Sequence, residues 1–228
     1  MLNAIDLDVR IQSEENLSKF LDMAQNLGYS AIATTLLLDA ENTETSPLVY
    51  RRINLDVTKL SSLKKKVVQA RAHYHVVAAP IRGVDTTNWA AEDSRIDILT
   101  VDPTGKEKLR KTTANISAEH DTALEICIAP LLGCNGLERS KMIRVLHDSI
   151  SVATRAGMKI VLSSSASFPI QMRAPVALSH IAMTLGMDRK TAADAIQLNP
   201  QMILARNIKR MKGNQIGPGI EIIRGDKS

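Results

Sequence analysis

Three short strings place reactive side chains at spacings that chemistry uses. Asp6 and Asp8 lie two apart in a strand-like segment, so they share one face, as an acid–base pair or two ligands of one metal would. No third ligand adjoins them, and acceptance of hydrogen bonds from barrel backbone and Arg10 is the plainer use. His73 and His75 have the spacing of a metal-binding pair, immediately before an apolar strand. The run Ser163-Ser164-Ser165 could supply a nucleophile only with a base in reach, and no Gly-x-Ser-x-Gly elbow surrounds it. It follows the apolar Ile160-Val161-Leu162 and leads through Arg173 to Pro175, which suits the first position of a helix. Hydroxyls, backbone amides and one guanidinium are better fitted to holding a phosphate than to breaking a bond. His120, His147 and His180 stand alone. Cys127, between Ile126 and Ile128, reads as core, and with Cys134 makes neither a disulfide framework nor a zinc site.

The elements that must carry these residues alternate between strand and helix. Strands are expected over 2–8, 29–36, 52–57, 75–79, 96–101, 124–128 and 160–162, and helices over 14–27, 59–72, 87–92, 104–111, 137–156, 175–185, 189–196 and 200–212. Ser13, Asp188 and Asn199 are expected caps, and Asn135 with Glu138 is spaced like a capping box. Such alternation implies a parallel sheet. About seven repeats without a domain-sized linker favour closure into one α/β, TIM-barrel-like domain over residues 1–212, with a tail over 213–228. An open doubly wound sheet is the runner-up, but no Gly-rich dinucleotide or P-loop signature follows a strand. In a barrel the working groups sit at the C-terminal ends of the strands, which places His73 and His75 at the wrong rim.

Charge limits the function classes. The chain carries 29 Lys+Arg against 24 Asp+Glu, with a pI near 9.3. Residues 1–48 hold eight acids and two bases, so the remainder of the chain is strongly basic. A basic body invites a polyanion. Aromatic residues make up only 3% of the chain, too few for a base-stacking platform, so any nucleic acid would be held through phosphates and shape. No segment has the length of a membrane helix and the start is unlike a signal peptide, which makes the cytoplasm the expected location.

Several strings, in order over about residues 1–210, resemble the ribonuclease P protein component 3 family. They are Ile5-Asp6-Leu7-Asp8, Leu27-Gly28-Tyr29 with Ala31-Ile32-Ala33, Ser94-Arg95-Ile96-Asp97-Ile98-Leu99, Leu124-Glu125-Ile126, Ala129-Pro130-Leu131-Leu132, and Ile160 to Ser164 continuing to Met172-Arg173-Ala174-Pro175. Ser165 and Val176 depart from the pattern, which has glycine and arginine there. The resemblance implies a barrel similar to that of the PHP phosphoesterases, whose strands carry Asp-Leu-His-x-His and Thr-Asp-His. Here these become Asp6-Leu7-Asp8-Val9-Arg10 and Thr35-Leu36-Leu37, so the hydrolytic metal centre is expected to be lost.

What the resemblance implies is a subunit of a ribonucleoprotein whose RNA, using magnesium, removes 5′ leaders from precursor tRNA. The expected partners are ribonuclease P RNA, protein component 2 and the other ribonuclease P proteins, with precursor tRNA touched indirectly and no membrane. No catalytic residue, cofactor or metal is expected on this chain. The cations expected to meet RNA are Arg51, Arg52, Arg82, Arg95, Arg110, Lys111 and Arg173, which flank strands. Arg206, Lys209 and Arg210 form one helical stripe, for RNA or a partner. The rival readings are a phosphoesterase with ligands from Asp6, Asp8 and Glu125, and a scaffold that does not touch RNA.

Overall fold

The computed structural model describes residues 3–36, 46–105, 107–211, 215–217 and 220–221. Its elements run β1 (Ala4–Val9), α1 (Leu17–Leu27), β2 (Tyr29–Thr34), β3 (Leu48–Asn54), α2 (Leu60–Arg71), β4 (Val76–Pro80), α3 (Val84–Glu92), β5 (Ile98–Thr100), α4 (Lys111–His120), β6 (Ala123–Cys127), α5 (Ala129–Gly133), α6 (Gly136–Ala156), β7 (Ile160–Ser163), α7 (Pro175–Thr184), α8 (Arg189–Asp194) and α9 (Leu198–Met211). These seven strands pair in chain order, all parallel, as strand–helix–strand units do, and a separate antiparallel pair, Gln215–Gly217 with Ile220–Glu221, follows α9. Most of the expected 213–228 tail lies outside the described residues. Among the described residues, no helix is long and apolar enough to cross a membrane.

Among the described residues the sheet curls into a barrel of seven strands, with no eighth between β7 and β1. Near the strand starts the gap between β7 and β1 is spanned by the segment after α8: Leu162 donates to the Ala195 carbonyl (3.0 Å) and Ile5 to the Ile196 carbonyl (3.2 Å). Near the strand ends, Val9 bridges Ala166 directly, and the Arg10 amide donates to the Ala166 carbonyl at 2.8 Å. The backbone groups of both edge strands are thereby satisfied without another strand.

Period-two alternation sorts the side chains. One set packs between strands and helices, and a second fills the interior: Ile5, Leu7, Ala31, Ala33, Val76, Ala78, Ile98, Ala123 and Val161. Ile203 and Leu204 of α9 join this interior cluster, because α9 lies across the N-terminal end of the barrel. Its polar side chains reach the strand starts. Asn199 donates to the Ile160 carbonyl, Asn207 to the His75 carbonyl and to Asp97, and Arg210 to the Ser94 carbonyl, each at 2.8 Å. Asp97 is the anchor of this closure. Its buried carboxylate accepts from Arg71 (2.7 Å), the Val77 amide (2.9 Å), Arg206 (2.9 Å) and Asn207 (2.8 Å).

Four expectations need correction. Strand β3 covers Leu48–Asn54 rather than 52–57. The helix expected over 104–111 is instead α4, beginning where that one was to end; its buried face is Thr113, Ala114 and Ser117, too polar to read as amphipathic. Ser13 and Asn135 make no side-chain cap, whereas Asp188 does, accepting from the Thr191 amide. Asn199 does not start a helix but sits inside α9, bound to β7.

Asp97→Ala should leave the guanidinium of Arg71 and the amide of Asn207 without their buried acceptor. A loss of about 3–5 kcal/mol is expected in urea unfolding; a change below 1 kcal/mol would mean that α9 is held by apolar packing alone.

Candidate functional site

At the opposite end the interior turns from apolar to charged. Arg52, on the inward face of β3, is 1% exposed. Its guanidinium meets Glu125 of β6 through two bonds of 2.7 and 2.6 Å, the Leu7 carbonyl at 2.8 Å and Asn54 at 2.8 Å, and its Nε lies 3.4 Å from Asp8 Oδ1. The alanines at 33 and 78, on strands flanking β3, leave the space this long side chain crosses. Glu125 also accepts from Thr100 (2.9 Å) and Ser163 (2.7 Å). Burial opposes charge on every member, but the carboxylates beside Arg52 hold its pKa above the ordinary arginine range.

A bulge in β1 aims Asp8 at this cluster. Asp6 pairs with Ile32 and Val9 with Thr34, so β1 carries an extra residue between them, and Leu7 and Asp8 both serve the interior. Asp8 accepts from Arg10 (3.2 Å) and from the Ser165 hydroxyl, and Cys127 Sγ lies 4.0 Å away. Desolvation pushes the Asp8 carboxyl up, but Arg52 and Arg10 prevail and hold its pKa below the usual range.

Asp6 does not share the Asp8 site, contrary to the simple alternation. Its Oδ1 accepts from the amides of Ser164 (3.1 Å) and Asp8 (3.2 Å), and Oδ2 has no hydrogen-bond partner among the described residues. Burial without a cation raises its pKa from 3.8 to about 7.

The serine run also points inward. Ser163 donates to Glu125, Ser164 to the Asp8 carbonyl and Ser165 to the Asp8 carboxylate, and all three are buried. They serve the charge cluster and are not exposed to a phosphate, which corrects the sequence reading. Ser165 has φ of 52°, in the left-handed region that favours glycine. His75 accepts from the Arg51 amide at the N-terminal rim, as expected; burial and the cations Arg51 and Arg71 lower its pKa to about 4, so it stays neutral near pH 7.

A cleft of about 950 Å³ opens at the C-terminal end, bordered by Arg10, Gln12, Asn54, Arg82 and Asp102. Three guanidinia (Arg10, Arg52, Arg82) face four carboxylates (Asp8, Glu125, Asp56, Asp102) there and just beneath, so the cleft has no surplus of positive charge to attract a phosphate.

The expected RNA-contact cations are dispersed. Arg52 is internal and cannot reach a phosphate. Arg206 is spent on Asp97 and Asp121, and Arg210 on the Ser94 carbonyl, at the N-terminal closure; Lys209 is exposed on the same helix. Arg95, also at that end, chelates Asp93 (2.8 and 2.5 Å). Arg51 lies on the barrel wall, half-buried. Arg82, Arg110, Lys111 and Arg173 share the C-terminal end, although Arg82 is paired with Asp56.

Sequence reading missed the first turns of α6. Lys108, just before α4, approaches Asp148 in the middle of α6 at 3.9 Å, so the twelve residues of α6 before Asp148 extend about 18 Å beyond that contact. Residues 135–141 are exposed on every side, and Lys141 and Arg144 have no ion pair among the described residues. Their three-residue spacing opposite Met142 and Leu146 was the available signal.

Asp6 sets a pH dependence of known sign. Between pH 3.8 and about 7 the folded chain keeps a proton that the unfolded chain loses, so stability falls as pH rises through this window, by an amount of order 4 kcal/mol. Asp6→Asn keeps the Oδ1 acceptor and removes the ionisation. Its melting temperature relative to wild type should climb from pH 4 to pH 7 and then level off; a constant difference would refute the assignment.

The family model for RNase P subunit p30 matches residues 3–212. Ribonuclease P protein component 3 of Methanosarcina barkeri is 28% identical over 225 residues, covering 94% of this chain and 93% of that protein. A chain in the cryo-EM structure of archaeal ribonuclease P with mature tRNA superposes with a TM-score of 0.81 at 19% identity, covering 97% of this chain and all of that one. The fold alone is shared with histidinol phosphate phosphatase from Lactococcus lactis, solved with zinc, L-histidinol and phosphate: TM-score 0.50, 11% identity, 91% of this chain and 94% of that one. With nearly its whole length matched in sequence and shape, the chain belongs to the RNase P subunit p30 family, as a protein subunit of ribonuclease P.

Proposed function

We propose that this subunit supports RNA-catalysed removal of 5′ leaders from precursor tRNA by lending fixed positive charge to ribonuclease P RNA from the C-terminal end of its barrel. The observation that carries this reading is the set of exposed cations there, Arg110 and Lys111 at the start of α4 and Lys141 and Arg144 on the projecting turns of α6, none with a carboxylate partner among the described residues. Two cations at a helix start oppose its dipole, a cost that an approaching phosphate would reverse. Packing RNA helices together is resisted by phosphate repulsion, and cations fixed on a rigid barrel relieve it without the entropy of condensing free ions. Arg173 belongs to the same end and joins this set.

In this reading magnesium is used by the RNA and the subunit binds no cofactor. Protein component 2 is its direct partner, other ribonuclease P proteins complete the particle, and precursor tRNA is met through the RNA. A protein partner is supported by the exposed side chains beside Arg173: Phe168 (63%), Ile170 (75%) and Val176 (68%), on the segment that follows β7. Large apolar groups in sequence around an arginine have the composition of interface centres. Free thiols at Cys127 and Cys134 suit the reducing cytoplasm.

Two measurements test this. In filter binding with ribonuclease P RNA, the triple reversal Arg110→Glu, Lys111→Glu, Arg144→Glu should flatten the log–log salt dependence by at least about 2, from ~0.7–0.9 per phosphate lost, and raise the magnesium needed for cleavage. Arg95→Glu, at the other end, should leave the slope unchanged; equal effects at both ends would refute the polarity. Phe168→Ser with Ile170→Ser should abolish co-purification with component 2 while far-ultraviolet circular dichroism stays normal. Undiminished co-purification would remove this surface from the interface.

A further inference from the structure

The side chains around Arg52 are those of a metal site. Asp8, Glu125 and Cys127 each offer one ligand atom, and these atoms lie within 4.8 Å of one another. An ion bound tetrahedrally at about 2.0–2.3 Å sets its ligands roughly 3.3–3.8 Å apart, so the three side chains must draw together by about 1 Å to hold one. Two carboxylates and a thiol are the donor set of a thiophilic divalent cation such as zinc or cobalt. Arg52 and Cys127 line the cleft, so an ion has a route from solvent. The guanidinium of Arg52 lies against both carboxylates, 2.6 Å from Glu125 and 3.4 Å from Asp8.

We propose that Arg52 is the barrel's built-in cation, and that Asp8, Glu125 and Cys127 form a latent site for a thiophilic divalent cation, closed in the native chain by the guanidinium and opened when Arg52 is shortened. Two facts carry this. Among the described residues, without Arg52 Glu125 keeps only the hydroxyls of Thr100 and Ser163 and no cation, and Asp8 keeps Arg10 as its one cationic partner, so a buried carboxylate is left unneutralised. Ala33 and Ala78 cannot fill the vacated volume, so truncation leaves a polar hole beside the cleft, where one divalent ion restores the charge. The inference does not depend on the ribonuclease P reading.

The test uses the full-length chain without a histidine tag, titrated with cobalt(II). Arg52→Ala should take up one cobalt per chain with near-ultraviolet thiolate-to-cobalt absorption, and zinc should displace it. Arg52→Ala with Cys127→Ser should lose that absorption, which separates Cys127 from Cys134. The native chain and Arg52→Lys should lack it. Should Arg52→Ala be unfolded alone, recovery of a cooperative melt on adding zinc reports the same site. A folded Arg52→Ala without the band, an unfolded one that zinc does not rescue, or a native chain that binds cobalt through Cys127 would each overturn the proposal.

Discussion

The structure depends on how it keeps charge inside a barrel. Two carboxylates and a guanidinium, taken from water, each cost several kcal/mol, and the cost is tolerable only when nearly every donor and acceptor is met. Arg52 meets this condition. Its fork matches Glu125 in two bonds, and the remaining donors find Leu7, Asn54 and the edge of Asp8. Much of the upper barrel follows from that requirement: alanines facing inward on β2 and β4, a bulge that turns Asp8, and three serines folded inward after β7. Asp6, a short distance along the same strand but without a cation, shows the alternative by holding its proton to about pH 7.

The two ends of the barrel divide their duties. At the N-terminal end, cations are consumed: Arg71, Arg206 and Arg210 hold α9 against the strand starts. At the C-terminal end the interior carries no surplus cation, and the exposed positive charge lies outside it on α4 and on the solvent face of the first turns of α6. A net basic composition therefore overstates what is available to a polyanion, since many of the arginines are structural. Among the described residues, the cleft in the middle of the barrel mouth, where a barrel enzyme would work, offers no surplus of positive charge.

The alternation of strands and helices was legible because buried parallel strands are short, continuous apolar runs bounded by turn residues. Family strings could be read for the same reason, since Ile5-Asp6-Leu7-Asp8 and Ser94 to Leu99 are tied to barrel geometry. What escaped were features set by other parts of the chain. Arg52 reads as one of two adjacent surface arginines until β6 supplies Glu125, 73 residues away. Simple alternation puts Asp6 and Asp8 together, and only the register against β2 separates them. The stripe of Arg206 and Arg210 looks identical whether it faces solvent or Asp97 and Ser94. Helix α4 was missed because its core face is threonine, alanine and serine.

The seam between β7 and β1 bears on how the polypeptide acquires its shape. Strand β1 donates to the carbonyl of Ile196, β7 to that of Ala195, and Gln201 of α9 binds the carbonyl of Asn3, so residues 3–5 wait for residues 196–201. On a ribosome the barrel therefore cannot close its seam until residues 195–201 have been made. Contacts so distant along the chain slow the final step and leave β1 uncovered meanwhile.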